Sequence, residues 1–464
     1  MSGRVRVVKN KRGDGVGRAV TPARRAAFEI LRRVEEEGAF AAPLLAGLTD
    51  ELTAEDRALC YELTLGVLRR QLWLDRVIEH FAGRASEKLD APVRRALRLG
   101  LYQLRFLTRI PASAAVNESV NLVHAARLRS AASFVNAVLR CATREPDFDP
   151  AANVTDPLER ISVETSHPAW LVARWADAFG LEEAEAFARA NNETAPASFR
   201  VNTLRAGADD LINELRTEGI NVIASSVAPN AWRVESGAGA SSALRRLAGE
   251  GRIYSQDEAS QLVAHVLGAR AGERVLDACA APGSKTTQIA ALAEDRAHVV
   301  AGDLYEHRLR VVREACERLG VEGVTAVALN AEAGLPFEDG AFDRVLVDAP
   351  CTGTGTLRHN PEIRWRLAPE NINELASVQS RILAEASRVV RRGGRLVYST
   401  CSVEREENEG VVEVFLRAHT EFKQVEATPA PARLLLASGA ARTWPHRDDV
   451  DGFFVAAFER LVED

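Results

Sequence analysis

The sequence predicts a multidomain protein with an all-α N-terminal domain, a small α/β subdomain and a C-terminal α/β domain of the Rossmann-like type. A chain of 464 residues is too long for a single hydrophobic core. Residues 22–145 contain long amphipathic runs and few glycines, a pattern that is typical of packed helices. From residue 255 onward, short apolar runs alternate with helical ones, which is typical of a doubly wound parallel sheet.

The composition is that of a globular protein, with 46% hydrophobic and 27% charged residues. No apolar run is long enough to span a bilayer, so we expect no membrane contact. Six cysteines lie far apart without a CxxC pair, which predicts free thiols in the cytoplasm and no metal site. A net charge of -6 means that any surface for nucleic acid must be a local patch.

The first 21 residues form a basic segment in which Asp14 is the single acid. The segment lacks the apolar core of an export signal. We predict a disordered tail that either contacts RNA or is simply solvated.

The predicted helical domain, residues 22–145, carries an arginine pattern within residues 93–110. Leucines fall on one face of the predicted helix and arginines on another. No acid occurs from Ala91 to Asn117, so the local sequence does not compensate the arginine face. A solvated face and a stripe that binds RNA phosphates are both open interpretations. The arginines of this face are Arg94, Arg98, Arg105 and Arg109.

The segment 146–165 is rich in turn-forming residues and is predicted to be a linker. Residues 166–254 then predict the small α/β subdomain, a kind of module that commonly serves as an RNA platform. Arg200 and Asn202 are therefore candidates for RNA contact, and a purely structural role is the open alternative. The subdomain is predicted to have strands near 198–203, 220–223 and 232–234 and a helix at 209–218.

The C-terminal domain, residues 255–464, begins its sheet with a strand at 274–277, followed by a turn of small residues and a helix. Such a turn presents backbone N–H groups and a helix N-terminus to a ligand. Its spacing is neither GxGxxG nor that of a phosphate loop, which argues against dinucleotide and ATP binding. The remaining candidate is a ligand with a carboxylate, such as the methionine end of S-adenosylmethionine. The candidate cofactor-binding residues are Cys279, Ala280, Ala281, Pro282, Gly283, Ser284 and Lys285.

Two further strand ends support an adenosyl cofactor. The strand at 298–303 ends in Asp303, roughly 20 residues after the turn, where an acid accepts ribose hydroxyls in dinucleotide-binding sheets. The strand at 324–329 is followed by Asn330, whose side chain is placed to reach the adenine ring. These residues predict S-adenosylmethionine as the cofactor.

Two later strands end in thiols. The strand at 344–347 is followed by Asp348 and Cys351, and the strand at 394–400 is followed by Cys401. Ligands gather beyond the carboxyl ends of strands in open α/β sheets, so these side chains are placed for chemistry. The basic run after Cys351 offers candidates for holding RNA phosphates or stacking on a base, with packing as an equal alternative for its tryptophan. These candidates are Arg358, His359, Arg364 and Trp365.

The segments 277–286, 348–351 and 398–402 together resemble the motifs of the RNA (cytosine-5)-methyltransferases, and the segments 254–260 and 444–454 extend the resemblance. Several runs of the N-terminal domain resemble the NusB-type RNA-binding helical domain. With this front end, the chain resembles the Sun/Fmu (RsmB) branch, which methylates small-subunit ribosomal RNA. The NusB-like runs are Arg24–Leu31, Thr64–Arg69, Leu101–Leu104, Asn117–Val120 and Phe134–Arg140.

Two residues depart from the family pattern. Ser284 stands where the family usually has a second glycine in the cofactor turn, and Asn330 stands where an aspartate is usual. The amide of Asn330 still hydrogen-bonds an adenine or ribose edge, so we expect an altered cofactor affinity rather than a loss of binding.

The resemblance implies S-adenosylmethionine-dependent methylation of carbon 5 of a cytosine in 16S ribosomal RNA. A thiolate that adds at carbon 6 makes carbon 5 nucleophilic. The resemblance makes Cys401 the nucleophile and assigns Cys351 to release, whereas the Pro-Cys pair used by DNA cytosine-5 methyltransferases would point to Cys351. Asp348 is expected beside ring nitrogen 3, with Lys285 as a nearby positive charge.

Two alternative functions stay open at this stage. One is methylation of transfer RNA, which the NusB-like domain argues against. The other is a non-catalytic RNA-binding or assembly factor, which the intact Cys351, Cys401 and Asp348 argue against. We expect the protein to act as a monomer.

Overall fold

The computed structural model describes residues 20–237 and 240–462. The predicted disordered tail, residues 1–21, therefore lies almost entirely outside the described residues. The chain divides into two compact units, Met1–Ser166 and His167–Asp464. The first unit matches the predicted all-α domain, and the second contains both predicted α/β parts.

The first unit is helical throughout its described part. Helix α5 is its centre, because it packs against α1, α3, α4, α6 and α7 and buries almost every residue from Val93 to Gln103. The core consists of aliphatic side chains that repeat with the helical period on each of these helices. The helices are α1 (Pro22–Glu36), α2 (Ala41–Leu48), α3 (Ala54–Arg69), α4 (Gln71–Ala82), α5 (Ala91–Phe106), α6 (Ala112–Ala125), α7 (Ala132–Arg144) and α8 (Pro157–Thr165), with 3-10 turns at Ser86–Lys88 and Arg129–Ala131.

The predicted arginine stripe on α5 is wrong as a continuous exposed surface. Arg98 is 4% exposed, and its guanidinium donates to both carboxylate oxygens of Asp75 at 2.7 Å and to Glu35 Oε1 at 2.6 Å. The compensating acids come from α4 and α1, which the local sequence around α5 does not reveal. Arg105 donates to the backbone carbonyls of residues 145 and 146. Of the four predicted arginines, Arg109 is exposed and lies beyond the end of α5, and Arg94 is half-buried.

The segment predicted to be a linker contains helix α8, which belongs to the first unit. Asp156 caps this helix by accepting a hydrogen bond from the backbone N–H of Glu159 at 2.8 Å, and Pro157 occupies its first turn. The hydroxyl of Ser166 accepts from the backbone N–H of Leu72 at 2.8 Å, which ties the end of the segment to α4. An acidic cap followed directly by proline is a helix-start signal in the sequence.

The second unit opens with two helices, continues with a small four-stranded antiparallel sheet and ends with a large sheet. The strand order of the small sheet is β2-β3-β1-β4, and two helices cover one of its faces with a separate apolar core. The predicted small α/β subdomain is thereby confirmed. Its elements are α9 (Ala169–Phe179), α10 (Leu181–Ala190), β1 (Ser198–Val201), α11 (Ala208–Thr217), β2 (Asn221–Ala224), β3 (Ala231–Ser236), α12 (Ala240–Gly249) and β4 (Ile253–Ser255).

The large sheet has the order β10-β12-β9-β8-β5-β6-β7, with β11 paired to β12. Strands β5 to β9 are parallel to one another, whereas β12 runs antiparallel to both β9 and β10. The Rossmann-like class is confirmed, but the sheet is mixed rather than purely parallel. The strands are β5 (Arg274–Asp277), β6 (His298–Asp303), β7 (Val324–Ala328), β8 (Phe342–Asp348), β9 (Val390–Thr400), β10 (Phe422–Val425), β11 (Ala441–Arg442) and β12 (Phe454–Arg460).

Helices connect and flank these strands. The chain passes from β5 to β6 and β7 on one side, and then returns to place β8 and β9 on the other side of β5. This reversal creates a topological switch point at β5, where open α/β sheets bind their ligands. The helices are α13 (Glu258–Leu267), α14 (Ser284–Leu292), α15 (Glu306–Leu319), α16 (Ile363–Arg366), α17 (Pro369–Arg388), α18 (Glu409–Ala418) and α19 (Pro445–Asp448), with 3-10 turns at Thr354–Thr356 and Ala432–Leu434.

Within residues 20–237 and 240–462, we find no helix that combines the length and the apolarity needed to cross a bilayer.

The ion pairs of Arg98 generate a prediction about stability. Arg98→Ala leaves Asp75 without its cation, whereas Glu35 keeps its ion pair with Arg95 at 2.8 Å. Breaking a buried ion pair costs about 3–5 kcal/mol. We expect the free energy of opening of α5 to fall by that amount, as measured by native-state hydrogen exchange on peptides within residues 91–106. The matched control is Arg32→Ala on α1, whose ion pairs are solvent-exposed and contribute less than about 1 kcal/mol. Equal protection in the two variants would contradict the prediction.

Candidate active site

The first site element is the turn between β5 and α14. The backbone N–H of Gly283 donates to the carbonyl of Ala280 at 2.7 Å, and the N–H of Ala280 donates to the carbonyl of Gly302 on β6 at 2.7 Å. Gly283 has a φ of +100°, and a Cβ there would lie 3.2 Å from Cα of Val312 on α15. A glycine is therefore required for both the left-handed backbone and the close approach of α15.

Asp277, the last residue of β5, connects this strand to the start of α14. Its carboxylate accepts a hydrogen bond from the Thr286 hydroxyl at 2.7 Å. Burial raises the pKa of Asp277 to about 7, and the nearby charge of Asp348 adds to the effect. Cys279 lies half-buried within the turn, and burial raises the pKa of its thiol. At neutral pH the Cys279 thiol is therefore protonated, and Asp277 is about half protonated.

Asp303 ends β6 beside this turn. Its side chain is 3% exposed, and its carboxylate accepts from the backbone N–H of Ala281 at 3.3 Å and of Tyr305 at 3.2 Å. Arg308 pairs with the same carboxylate at 3.1 Å and also donates to the carbonyl of Ala281 at 3.2 Å. The structure thus brings Asp303 and the predicted cofactor turn into direct contact.

Asn330 lies at the same edge of the sheet, two residues beyond the β7 position that pairs with Asp303. The residue is exposed, and its side-chain oxygen accepts from the backbone N–H of Glu332 at 3.0 Å.

These groups fit S-adenosylmethionine by their chemistry. The turn supplies backbone N–H groups and the N-terminus of α14, which suit a carboxylate. Asp303 supplies carboxylate oxygens next to the turn, which suit two ribose hydroxyls. Asn330 supplies an amide for a purine edge. The three donor and acceptor sets follow the order β5, β6, β7 along the sheet.

An ion pair joins the cofactor turn to the next strand. Lys285, in the first turn of α14, places Nζ 2.7 Å from Oδ2 of Asp348 at the end of β8. Burial opposes the charge on Lys285, but the charge of Asp348 and their hydrogen bond outweigh it, so the pKa of Lys285 is raised. Ser399 donates from its hydroxyl to the other oxygen of Asp348 at 2.7 Å. The ring of Phe453 lies 5.3 Å from Nζ of Lys285.

The two predicted thiols lie together. The Sγ atoms of Cys351 and Cys401 are 3.3 Å apart, and both residues are free cysteines that are partly exposed. The hydrogen bond with Cys401 is the largest cause of a raised pKa at Cys351, and burial adds to it. Gly355 donates its N–H to the carbonyl of Cys401 at 2.9 Å, and a Cβ on Gly355 would lie 2.0 Å from the carbonyl oxygen of Gly452. Close backbone packing therefore fixes the loop that carries Cys401.

A buried carboxylate, which the sequence analysis missed, joins the two cysteine loops. Glu407 Oε1 accepts from the backbone N–H of Thr352 at 2.9 Å and from the Gln379 amide at 2.9 Å. The hydroxyls of Thr352 and Ser402 donate to Oε2. Burial raises the pKa of Glu407. The one local signal was an acid placed six residues after Cys401, which has no distinctive spacing.

A second missed group lies behind the Cys401 loop. Both oxygens of Asp451 lie 3.0 Å from Nδ1 of His359, and the charge of Asp451 raises the pKa of His359. The backbone N–H of Asp451 donates to Asp257 at 3.2 Å, and burial raises the pKa of Asp257 to about 7. The next residue, Gly452, donates its N–H to the carbonyl of Gly355 at 2.8 Å. Asp257 therefore holds the backbone at Asp451, and the neighbouring Gly452 contacts the loop at Gly355 that packs against Cys401.

The predicted RNA contacts of Arg358 and Arg364 are wrong. Arg358 is 1% exposed and pairs with Asp449 at 2.9 Å. Arg364 is fully buried and donates to the backbone carbonyl of Asn191 at 3.1 Å. Trp365 is half-buried, and His359 keeps part of its ring exposed. The partners of the two arginines come from residues about 90 and 170 positions away along the chain, which local sequence does not reveal.

The predicted RNA contacts of Arg200 and Asn202 are also wrong. Arg200 is buried and donates to Gln256 at 3.1 Å and to the Thr287 hydroxyl at 2.9 Å, so it anchors β1 to the start of α14. Burial lowers the pKa of Arg200 to about 10. Asn202 donates to the carbonyls of Gly251 and Leu319, each at 2.8 Å. Both side chains hold the small sheet against the large domain.

Comparison with known families covers most of the chain. Residues 264–459 match the model of the family described as 16S rRNA methyltransferase RsmB/F. Residues 21–144 match the NusB family, and residues 167–240 match the RsmF/B-like ferredoxin-like domain.

Similar proteins match over nearly their full length. A probable ribosomal RNA small subunit methyltransferase B of Bacillus subtilis is 36% identical over 449 residues, which cover 95% of this chain and 99% of that protein. The ribosomal RNA small subunit methyltransferase B of Yersinia pseudotuberculosis is 33% identical over 437 residues, covering 93% and 96%.

Solved structures agree with this assignment. The crystal structure of PH0851 superimposes with a TM-score of 0.82 and 30% identity, covering 95% of this chain and 99% of that one. A methyltransferase homolog protein from Pyrococcus horikoshii has a TM-score of 0.58 and 29% identity, covering 66% and 100%. The chain therefore belongs to the RsmB/F family of ribosomal RNA methyltransferases, whose methyl donor is S-adenosylmethionine.

Proposed function

We propose that this enzyme methylates carbon 5 of one cytosine in 16S ribosomal RNA and that Cys401 is covalently bound to carbon 6 of that base during the reaction. The observation that carries the proposal is the pair of thiol sulfurs, 3.3 Å apart, at strand ends beside the Lys285–Asp348 ion pair. The relatives named as small-subunit methyltransferases support the choice of 16S RNA.

The chemistry needs a nucleophile because carbon 5 of cytosine is part of an electron-poor aromatic ring. Addition of the Cys401 thiolate at carbon 6 forms a carbon–sulfur bond and turns carbon 5 into an enamine carbon. S-adenosylmethionine supplies the methyl group as a sulfonium electrophile. The target base must leave its stack to reach strand-end thiols, so it is unpaired or flipped out.

Asp348 is the group proposed to meet ring nitrogen 3, where charge develops during addition. Ser399 holds one oxygen of Asp348 and Lys285 holds the other, so the carboxylate is fixed before substrate binds. The ammonium of Lys285, whose pKa is raised, is the nearest charged proton donor to Asp348. The pair therefore stabilises or protonates the nitrogen at the moment of addition.

We assign different roles to the two thiols. The raised pKa of Cys351 keeps its S–H group protonated. The protonated Cys351 can donate its S–H to the sulfur of Cys401, 3.3 Å away, so it is placed to help that sulfur leave when the carbon–sulfur bond breaks. After methyl transfer, the proton of carbon 5 passes to solvent water and the electron pair of its C–H bond forms the double bond between carbons 5 and 6. The carbon–sulfur bond breaks with its electron pair on Cys401, and the aromatic ring is restored.

The first prediction concerns the product. We expect the enzyme to transfer a labelled methyl group to one cytosine of 16S RNA taken from a strain that lacks this enzyme. Bisulfite mapping checks the base and its position. Label on a different base, or on transfer RNA alone, would contradict the proposed function.

The second prediction separates the thiols. We expect Cys401→Ala to lose methylation by more than about 1,000-fold and to form no covalent RNA complex, because the nucleophile is removed. Cys351→Ala should instead accumulate a protein–RNA adduct that survives a denaturing gel, because release is impaired. Cys316→Ala is the control, since this buried thiol lies on α15 outside the site. The reverse adduct pattern would exchange the two roles.

The third prediction uses the pKa of Cys351. The largest cause of the raised pKa of Cys351 is the hydrogen bond with Cys401. Cys401→Ala removes that bond and should therefore lower the pKa of Cys351 toward the ordinary value of a thiol. At pH 8 the thiolate fraction then rises, and alkylation of Cys351 by iodoacetamide becomes faster than in the wild-type protein. Peptide mass spectrometry resolves this residue from the other cysteines. An unchanged pH profile would show that Cys401 does not hold Cys351 protonated.

A further inference from the structure

The two thiols of the active site are close enough to react with each other. Within the part of the chain that the structure describes, Cys351 and Cys401 are the one pair of cysteines joined by a hydrogen bond between sulfurs. A disulfide between them needs an approach of only about 1.3 Å from their separation of 3.3 Å. Cys401 directly follows β9 and Cys351 comes shortly after β8, and these two strands are paired neighbours. The bond therefore requires no rearrangement of the sheet.

The loops that carry the two sulfurs are also tied to each other. The carboxylate of Glu407 accepts a hydrogen bond from the backbone N–H of Thr352, next to Cys351, at 2.9 Å. The same carboxylate accepts from the hydroxyl of Ser402, next to Cys401. The hydroxyls of Thr352 and Ser402 are themselves 3.1 Å apart. These contacts hold the sulfurs in proximity, which raises the rate of any reaction between them.

The pair is accessible to small oxidants. Both Cys351 and Cys401 are partly exposed, and the oxidation of a cysteine follows its exposure and its thiolate character. Cys141 and Cys279 share the partial exposure but have no second sulfur in contact among the described residues. The raised pKa of Cys351 keeps its thiol protonated at neutral pH. We therefore assign the first attack on an oxidant to Cys401, the nucleophile of the proposed reaction, and the second step to Cys351.

We propose that the two active-site thiols are a reversible oxidation site, at which a hydroperoxide converts Cys351 and Cys401 into an intramolecular disulfide. The oxidation goes beyond the methylation reaction and does not depend on it. Its consequence for activity does rest on the proposed function, because the disulfide removes the sulfur that adds to the cytosine.

The reaction proceeds in two steps, with hydrogen peroxide as the simplest oxidant. The Cys401 sulfur attacks one peroxide oxygen, the O–O bond breaks, and the departing hydroxide takes the thiol proton to form water, which leaves a sulfenic acid. The Cys351 sulfur then attacks the Cys401 sulfur, an S–S bond forms and the S–O bond breaks. The departing hydroxide takes the Cys351 proton and forms a second water. Two electrons pass from the thiols to one peroxide, and a dithiol reductant reverses the change by exchange.

The neighbouring thiol gives the enzyme a chemical advantage. A sulfenic acid without a nearby thiol is oxidised further to sulfinic and sulfonic acids, which dithiothreitol does not reduce. Capture by Cys351 stops the Cys401 sulfur at the disulfide stage. The site thus converts irreversible damage to the nucleophile into a reversible loss of activity.

The test treats the full-length protein with a small molar excess of hydrogen peroxide, alkylates the remaining thiols and maps the peptides by mass spectrometry. We expect a cross-linked peptide pair that joins Cys351 to Cys401 and is lighter by two hydrogen atoms. The number of free thiols should fall from six to four, since one disulfide consumes two of them. Methyl transfer should fall in proportion to the cross-linked fraction and return after dithiothreitol.

Two variants sharpen the test. Cys351→Ser lacks the capturing thiol, so the same treatment should give sulfinic acid at Cys401 and a loss of activity that dithiothreitol does not restore. Cys141→Ser is the matched control, because Cys141 is partly exposed like the pair but lies on α7 in the first unit. This control should form the same cross-link as the wild-type protein and lose it again in dithiothreitol.

The outcomes separate this proposal from the proposed function. Six free thiols after treatment, or as much sulfinic acid at Cys401 in the wild-type protein as in Cys351→Ser, would overturn the oxidation site. A cross-link that joined other cysteines would do the same. A cross-link between Cys351 and Cys401 that left methylation intact would support the oxidation site and count against Cys401 as the nucleophile.

Discussion

The ion pair between Lys285 and Asp348 is the constraint on which the active site depends. Lys285 belongs to the first turn of α14, directly after the cofactor turn, and Asp348 ends β8. Their 2.7 Å contact joins the turn between β5 and α14 to the end of β8, where the loop that carries Cys351 begins. A buried ion pair of this kind adds little net stability, but removing one partner leaves an uncompensated charge that costs about 3–5 kcal/mol. The pair therefore serves orientation more than stability.

The rest of the site is built to keep that pair and the two thiols in register. Asp348 is shared between Lys285 and Ser399, so β8 and β9 meet at one carboxylate. The buried Glu407 carboxylate likewise joins two segments, because it accepts hydrogen bonds from Thr352 in the Cys351 loop and from Ser402 in the Cys401 loop. A single carboxylate that accepts bonds from two loops costs less to bury than two separate ones, because each of its oxygens is satisfied. This arrangement holds the two cysteine loops together, with their sulfurs 3.3 Å apart.

Much of the fold and of the site could be predicted from the sequence because their signals are local. The turn at 278–283, Asp303, Asp348 and the two cysteines each follow a recognisable strand, and strands of a parallel sheet bring their ends to one edge. The helical first unit followed from periodicity. Arg98 could not be placed correctly, because its acids lie 23 and 63 residues away. The antiparallel β12 was missed for a related reason: pairing partners are set by tertiary contacts, not by strand composition.

Arginine was the residue type that sequence reasoning placed worst, and the physical reason is general. A guanidinium has a charge that must be compensated when buried, and the compensating group can come from any part of the chain. At the active site every cation named above already has its partner: Lys285 holds Asp348, Arg308 holds Asp303 and Arg358 holds Asp449. These groups organise the pocket and leave little positive charge for RNA phosphates there.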